Sequence, residues 1–341
     1  MNRFRSWLAI VILLASGFAV CLAADENEKP RLKIEPVRVW RTVFADHETE
    51  LRFRIEAPKQ ATKGRIAWRL AAGNRTLAAR EDDFTADPEK PAVVSVKLRI
   101  DALRDGVVLP TKLTLTAIEA GQNTPAATWE KDITIFVKDP FVDRSEWLKS
   151  LKITLFDPPG TTTKVLTAMK VPFDEQPNSA ALADLKDGVL IVGEGVSFKE
   201  HRDVPELLAK VAARGVAVLC LAPLDGELVV PGIGAAAEEP VELVFHKNAI
   251  RRLDKRLDAE AWPPDGKIVA ATVSVKSVDA VAVGEVTVGP GGWPWAEARY
   301  ASGKGRWVFC GYVVIAKWDD GPTPRYLFSR MLEHLTTDAD K

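Results

Sequence analysis

Three cysteines, four histidines and a scatter of acidic side chains are the groups with which this chain could do chemistry. Cys220 has the most suggestive setting. In RGVAVLCLAPLDG, residues 214 to 226, a glycine releases the chain from a helical stretch and the cysteine closes an apolar run, where an open α/β sheet often keeps a nucleophile. A thiol becomes a catalyst only with a base beside it. His47, His201, His246 and His334 share no metal-ligand spacing with one another and lie in no His-Glu-x-x-His or Cys-x-x-Cys frame, so no structural metal is expected. Gly193-Glu194-Gly195 follows an apolar run at the place where open α/β folds bind ligands, although an ordinary turn is the favoured reading. Asp157, Asp225, Trp318, Asp319 and Asp320 also fall at strand ends, a polar rim without a defined acid/base pair.

Tryptophan is unusually frequent, with ten in the chain. Trp40, Trp68 and Trp129 alternate with polar residues and are expected in a core. Trp293 and Trp295, in GPGGWPWAEARY, sit in a Gly/Pro stretch that cannot easily bury both rings. Exposed, they would stack on sugar faces or anchor a protein partner; a lid over the local core is the favoured alternative. The ligand-binding candidates are thus Asp157, Gly193, Glu194, Gly195, Asp225, Trp293, Trp295 and Trp318, with no catalytic residue and no cofactor among the expectations.

Two kinds of pattern must position these groups. From residue 31 to 139, LKIEPVRVW, ELRFRIEAP, RIAWRLAAG, VVSVKLRI, KLTLTAIEAG and WEKDITIFV alternate apolar with polar residues, and Gly73-Asn74, Asp105-Gly106 and Gly121 mark reversals. That pattern predicts an all-β, Ig-like sandwich. From 147 to 338 the period changes: LKITLFD, TTTKVLTAMKV, GVLIVGEG, DVPELLAKVAARG and VAVLCLA read as strand, helix, strand, helix, strand, the pattern of a doubly wound, mostly parallel α/β sheet. GKGRWVFCGYVVIA is read as a hairpin turn and a long strand, and TPRYLFSRMLEHL as a closing helix. The change of period predicts separate cores joined by a short exposed connection near residues 138 to 150.

The second half resembles the class I glutamine amidotransferase-like domains, carried by its strand-helix order, by DGVLIVGEG, which is similar to the strand and glycine turn that contribute to that family's oxyanion hole, and by Cys220. The family's nucleophile elbow reads Gly-x-Cys-x-Gly; here Val218 and Ala222 stand at the glycine positions. Its activating histidine belongs in a Phe-His-Pro-Glu type run, and the corresponding stretch is Phe309-Cys310-Gly311-Tyr312. The resemblance therefore implies an amidotransferase fold without its triad, and Cys220 as a core residue.

The first residues set the compartment. MNRFRSW supplies two arginines, LAIVILLASGFAV an apolar run and CLAAD small residues, which predicts a signal peptide over residues 1 to 24, cut after Ala23, with Cys21 acylation or an uncleaved anchor as the alternatives. Cleavage would leave Cys220 and Cys310, both in apolar runs, as two buried thiols. A formal net charge of −1 lacks the basic excess that phosphate neutralisation requires, so nucleic acid is not an expected partner. Together these features predict a secreted or periplasmic, non-catalytic binding or assembly protein, its partner a protein or polysaccharide of the envelope, touching membrane only through an uncleaved signal segment. The alternative is a carbohydrate-active or other hydrolase with carboxylates at the sheet's carboxyl edge.

Overall fold

A computed structural model of the chain describes residues 31–230, 239–260, 273–277, 283–286, 293–301 and 305–337. The signal segment and the stretch 261–272 lie outside these. The described structure is mostly strand, arranged in four sheets.

Residues 33 to 136 hold eight strands: β1 (Lys33–Arg38), β2 (Thr42–Phe44), β3 (Glu48–Glu56), β4 (Thr62–Ala72), β5 (Arg75–Ala86), β6 (Ala92–Arg99), β7 (Val108–Glu119) and β8 (Ala127–Phe136). They form a three-stranded sheet, β1-β3-β6, and a five-stranded sheet, β2-β8-β7-β4-β5. Alternation makes the two sheets face each other. In β3, Leu51, Phe53 and Ile55 are fully buried while Arg52 and Arg54 between them are exposed. Ile66 and Leu70 of β4, Leu113 and Leu115 of β7 and Ile133 and Ile135 of β8 complete the same core, which also takes in Trp40 and Trp68.

The second unit opens with α1 (Ser145–Ser150) and β9 (Ile153–Phe156), then α2 (Thr161–Ala168), β10 (Asp174–Glu175), β11 (Val189–Val192), α3 (Val204–Ala213) and β12 (Ala217–Leu221). There follow β13 (Glu227–Val230), β14 (Glu242–Phe245), α4 (Ala249–Leu253), β15 (Val273–Ser277), β16 (Val283–Val286), β17 (Trp295–Arg299), β18 (Arg306–Cys310) and α5 (Pro322–Thr336). Seven strands make one sheet in the order β10-β9-β11-β12-β18-β17-β14, and β13-β15-β16 make a small separate one. From β10 to β18 neighbouring strands run parallel; β17 and β14 are added antiparallel at the far edge.

The central strands β11 and β12 are short and apolar, with side chains buried on both faces. Leu190 and Val192 of β11 meet Leu208 and Val211 of α3 on one face, and Val189 and Ile191 meet Leu327, Phe328 and Met331 of α5 on the other. Helix α3 starts after Asp203 and carries Pro205 in its first turn; the Asp203 carboxylate does not cap it but accepts the Ser179 hydroxyl.

Two readings are corrected here. The run Gly311-Tyr312-Val313-Val314-Ile315-Ala316 does not extend β18, which ends at Cys310; it is a loop, buried as far as Ile315 and exposed at Ala316, for a reason given below. The connection between the two units is exposed at Lys138, Asp139 and Asp143, as expected of it, but not throughout: Phe141 is buried, Phe136 lies against Tyr326 with ring centroids 4.5 Å apart, and the Tyr326 hydroxyl donates to the Val137 carbonyl. Arg325 adds a bond to the Lys138 carbonyl at 2.8 Å.

Candidate functional site

Parallel strands deliver their carboxyl ends to one edge, and this edge gathers most of the predicted residues. Asp157 follows β9, the Gly193-Glu194-Gly195 turn follows β11, Asp225 follows β12 and the 311–316 loop follows β18. The polar groups here hold one another.

Asp157 is 3 % exposed. Its Oδ2 accepts the Thr163 N–H at 2.7 Å, satisfying one of the free donors at the start of α2. Its Oδ1 is buried with no hydrogen-bond partner among the described residues. That oxygen packs on Gly193, where an added Cβ would lie 2.2 Å from it, so only glycine fits.

Glu194 is the centre of the arrangement. Its side chain crosses beneath the loop after β18, where Oε2 accepts the N–H groups of Val314 and Ile315 at 2.7 and 2.8 Å and Oε1 accepts that of Ala316 at 2.9 Å. Its own N–H donates to the Thr162 hydroxyl, and the Thr161 hydroxyl donates to its carbonyl. Burial raises the Glu194 carboxyl above its ordinary range, the three amide donors oppose that, and the charge of Asp157 adds to it. The run stays beside the neighbouring strand only at its start, where the Gly311 N–H donates to the Pro294 carbonyl; from Val314 to Ala316 its amides turn to the Glu194 carboxylate instead, which is why it is a loop.

Asp225 lies on the adjoining loop, accepting the Ser197 hydroxyl at 2.8 Å and pairing with Lys199. Those bonds lower its carboxyl. His201, nearby, stands edge-on to Phe156 with centroids 5.3 Å apart, and Ser197 gives its proton to the aspartate, so no serine–histidine couple forms.

Cys220 pairs with Val192 on one side and Phe309 on the other, fully buried in mid-sheet. Burial drives its thiol well up, with the neighbouring Cys310 adding to the effect. The two thiols sit on adjacent strands but belong to opposite faces of the sheet and remain free.

The tryptophans divide. Trp293 is half-buried at the carboxyl edge beside Phe245, with the Lys247 ammonium 4.7 Å from its ring centre. Trp295, expected in an open loop, is instead the first residue of β17 and 1 % exposed, because pairing with Cys310 turns its ring into the core. Trp318 is buried against Phe328. Neither can present a ring to a ligand. Asp319 is open to solvent and pairs with Arg325, while Asp320 pairs with Lys317.

Sequence reasoning missed a second polar cluster. Glu297, on β17, is 2 % exposed and binds His334 at 2.9 Å through Oε2 and Arg299 at 3.0 Å through Oε1, with Arg306 at 3.4 Å. Burial would raise its carboxyl, but the hydrogen bond and charge of His334, then Arg299 and Arg306, outweigh that and bring it to about 2. No group of three metal-ligating side chains occurs among the described residues, and no helix there is long and apolar enough to cross a membrane.

No family model matches the chain, and no characterised protein matches its sequence. Among solved structures it is similar to the sporulation control protein Spo0M from Bacillus subtilis (9 % identity, TM-score 0.26, 35 % of this chain and 55 % of that one). Others are the CARDB domain of the PF1109 protein from Pyrococcus furiosus (8 %, 0.22, 31 % and 85 %) and a β-glucosidase from Listeria innocua (10 %, 0.22, 31 % and 16 %). The chain spans about half the length of the first of these.

Proposed function

We propose that this is an exported, non-catalytic binding or assembly protein of the cell envelope, associated with carbohydrate. In this reading an Ig-like sandwich carries a degenerate amidotransferase-like α/β unit whose carboxyl edge is the binding face. One observation carries it: the Glu194 carboxylate, central to that edge, is taken up by the three amide donors of residues 314–316. A carboxylate bound on both oxygens and shut from water positions a loop; it does not activate one. Cys220 supports the same view, since a mid-sheet thiol raised by burial and lacking a histidine is a poor nucleophile. What the edge offers a partner is a rim: Trp293 with Lys247, and Leu224, 66 % exposed on the loop beside Asp225. An aromatic face next to a cation suits an acidic or neutral sugar polymer.

The rival reading, a hydrolase at the same edge, draws on one feature: Asp157 and Glu194 lie close enough for the charge of one to raise the other. A single experiment separates the two. The purified protein is run in affinity gels containing acidic or neutral polysaccharide and sedimented with peptidoglycan sacculi, and reducing-sugar release is measured in parallel. Retardation or co-sedimentation that falls at least about tenfold in Trp293→Ala, without sugar release, is the expected result. Sugar release abolished in Glu194→Gln would establish the hydrolase; no association with any of these polymers would end the carbohydrate reading.

A further inference from the structure

The turn after β14, FHKNAIRR over residues 245 to 252, is rich in cations. Strand β14 runs antiparallel to β17, which runs antiparallel to β18, so β14 delivers this turn to the same carboxyl edge as the parallel strands. The turn is tied in place there. The His246 N–H donates to the Trp295 carbonyl at 3.0 Å, and the Tyr312 hydroxyl, from the loop after β18, donates to the Lys247 carbonyl at 3.3 Å.

Its cations are not equally satisfied. Arg251 pairs with Glu260, and just beyond the turn Arg256 pairs with Asp254. Lys247 and Arg252, both exposed, meet no carboxylate among the described residues. The Lys247 ammonium lies instead against the Trp293 ring. Arg252 holds one guanidinium nitrogen 2.6 Å from Nδ1 and 2.9 Å from Nε2 of the His246 ring. The two nitrogens of an imidazole direct their hydrogen bonds outwards in the ring plane and away from each other, so a group this close to both lies over the ring face. Such a contact needs a neutral ring. Burial, then the charge of Arg252, lower the basicity of His246; Arg299 of β17 and His334 of α5 act the same way, and Glu297 of β17 opposes them. Two cations are thus held on ring faces, contacts that leave their charge available to an anion from outside.

We propose that this turn makes the carboxyl edge select a carboxylate-bearing polysaccharide over a neutral one, Trp293 stacking on a sugar face while Lys247 and Arg252 take carboxylates. An anion on Arg252 draws the guanidinium off the imidazole and sets a negative charge beside it, so His246 takes up a proton from solvent as the polymer binds. The inference rests on the reading of this edge as a polysaccharide-binding face and adds which polymer it takes and which residues choose it.

Calorimetric titration of the full chain with polygalacturonate, dextran and polyglutamate tests it. Polygalacturonate binds about tenfold more tightly than either of the others, and the preference shrinks as salt is added. Arg252→Gln weakens polygalacturonate about fivefold and leaves dextran unchanged, whereas Lys255→Gln, which removes the same charge from an exposed site nearby, alters neither. Affinity for polygalacturonate rises from about pH 7 to about pH 5, where its own carboxylates stay ionised, with a proton taken up on binding; His246→Gln keeps the affinity at the higher pH and loses both the rise and the uptake. Polygalacturonate no tighter than dextran, polyglutamate as tight as polygalacturonate, or Lys255→Gln as damaging as Arg252→Gln would overturn this inference, and dextran binding that Trp293→Ala abolishes would still uphold the carbohydrate reading. Binding to none of the three overturns both.

Discussion

Two glutamates of the second unit are buried to a similar depth and come out opposite. Glu194 is 8 % exposed and Glu297 2 %, yet the first has its carboxyl raised and the second lowered to about 2. Burial pushes both upwards, so the difference lies in the partners. Glu194 is met by neutral backbone N–H groups and lies near another carboxylate; Glu297 is met by Arg299, Arg306 and His334. Amide donors can place a carboxylate without making its charge cheap, whereas cations do both. The carboxyl edge is therefore organised by a buried acid that tolerates its charge poorly, and the cluster around β17 by one that depends on it.

The largest expected effect comes from breaking the charged member. Glu297→Ala leaves Arg306, whose side chain is only 12 % exposed, without its buried anion and should destabilise by about 3–5 kcal/mol in denaturant unfolding. A cost below 1 kcal/mol would mean that water screens the cluster.

Acid should act on the two glutamates with opposite sign. The folded carboxyl of Glu297 lies below its unfolded value, so its contribution is full above pH 4.5 and is lost as pH falls towards 2, roughly 3 kcal/mol in all. The raised carboxyl of Glu194 gives the reverse: its contribution is full below the unfolded value of 4.5 and is lost as pH rises through the folded one. In Glu297→Gln the first dependence should vanish from stability measured against pH while the second remains.

Glu194→Ala should cost less, about 1–3 kcal/mol, since an amide donor that loses its acceptor can recruit water. Its signature is local: hydrogen exchange should quicken at Val314, Ile315 and Ala316 and stay unchanged in β11 and β12. Uniform quickening would show that the carboxylate holds more than its loop.

Gly193→Ala sharpens the contrast at the smallest scale. The added methyl meets Asp157 Oδ1 and should cost about 1–2 kcal/mol. Asp157→Ala should absorb most of that cost in the double variant; strict additivity would mean that the methyl strains the backbone instead.

How far the sequence reveals this depends on the kind of bond. The alternation Leu51, Phe53, Ile55 and the unbroken VLIV of β11 report local periods, and they place the strands and the buried Cys220 correctly. The Gly-Glu-Gly turn is visible as a turn, but the partners of Glu194 are backbone amides more than a hundred residues away, and a backbone amide has no residue signature. For the same reason GYVVIA reads as strand, its apolar character being the same whether a β-strand or a carboxylate receives its N–H groups. Trp295 is misread through its Gly/Pro neighbours: β17 begins at Trp295 itself, directly after Pro294. Glu297 sits in WAEAR, a charged residue inside an apolar strand, but its counter-charges at 299, 306 and 334 meet only once β17, β18 and α5 pack together.

The comparison of the two glutamates is tested most directly by following their side-chain carboxyl carbons by NMR in protein labelled with ¹³C-glutamate, the two signals assigned from Glu194→Gln and Glu297→Gln. Glu194 should titrate above the ordinary glutamate range and Glu297 near 2. A Glu194 that titrates at or below the ordinary value, or a Glu297 that titrates with the exposed glutamates, would contradict the assignment of one acid to a backbone clamp and the other to a charged lock.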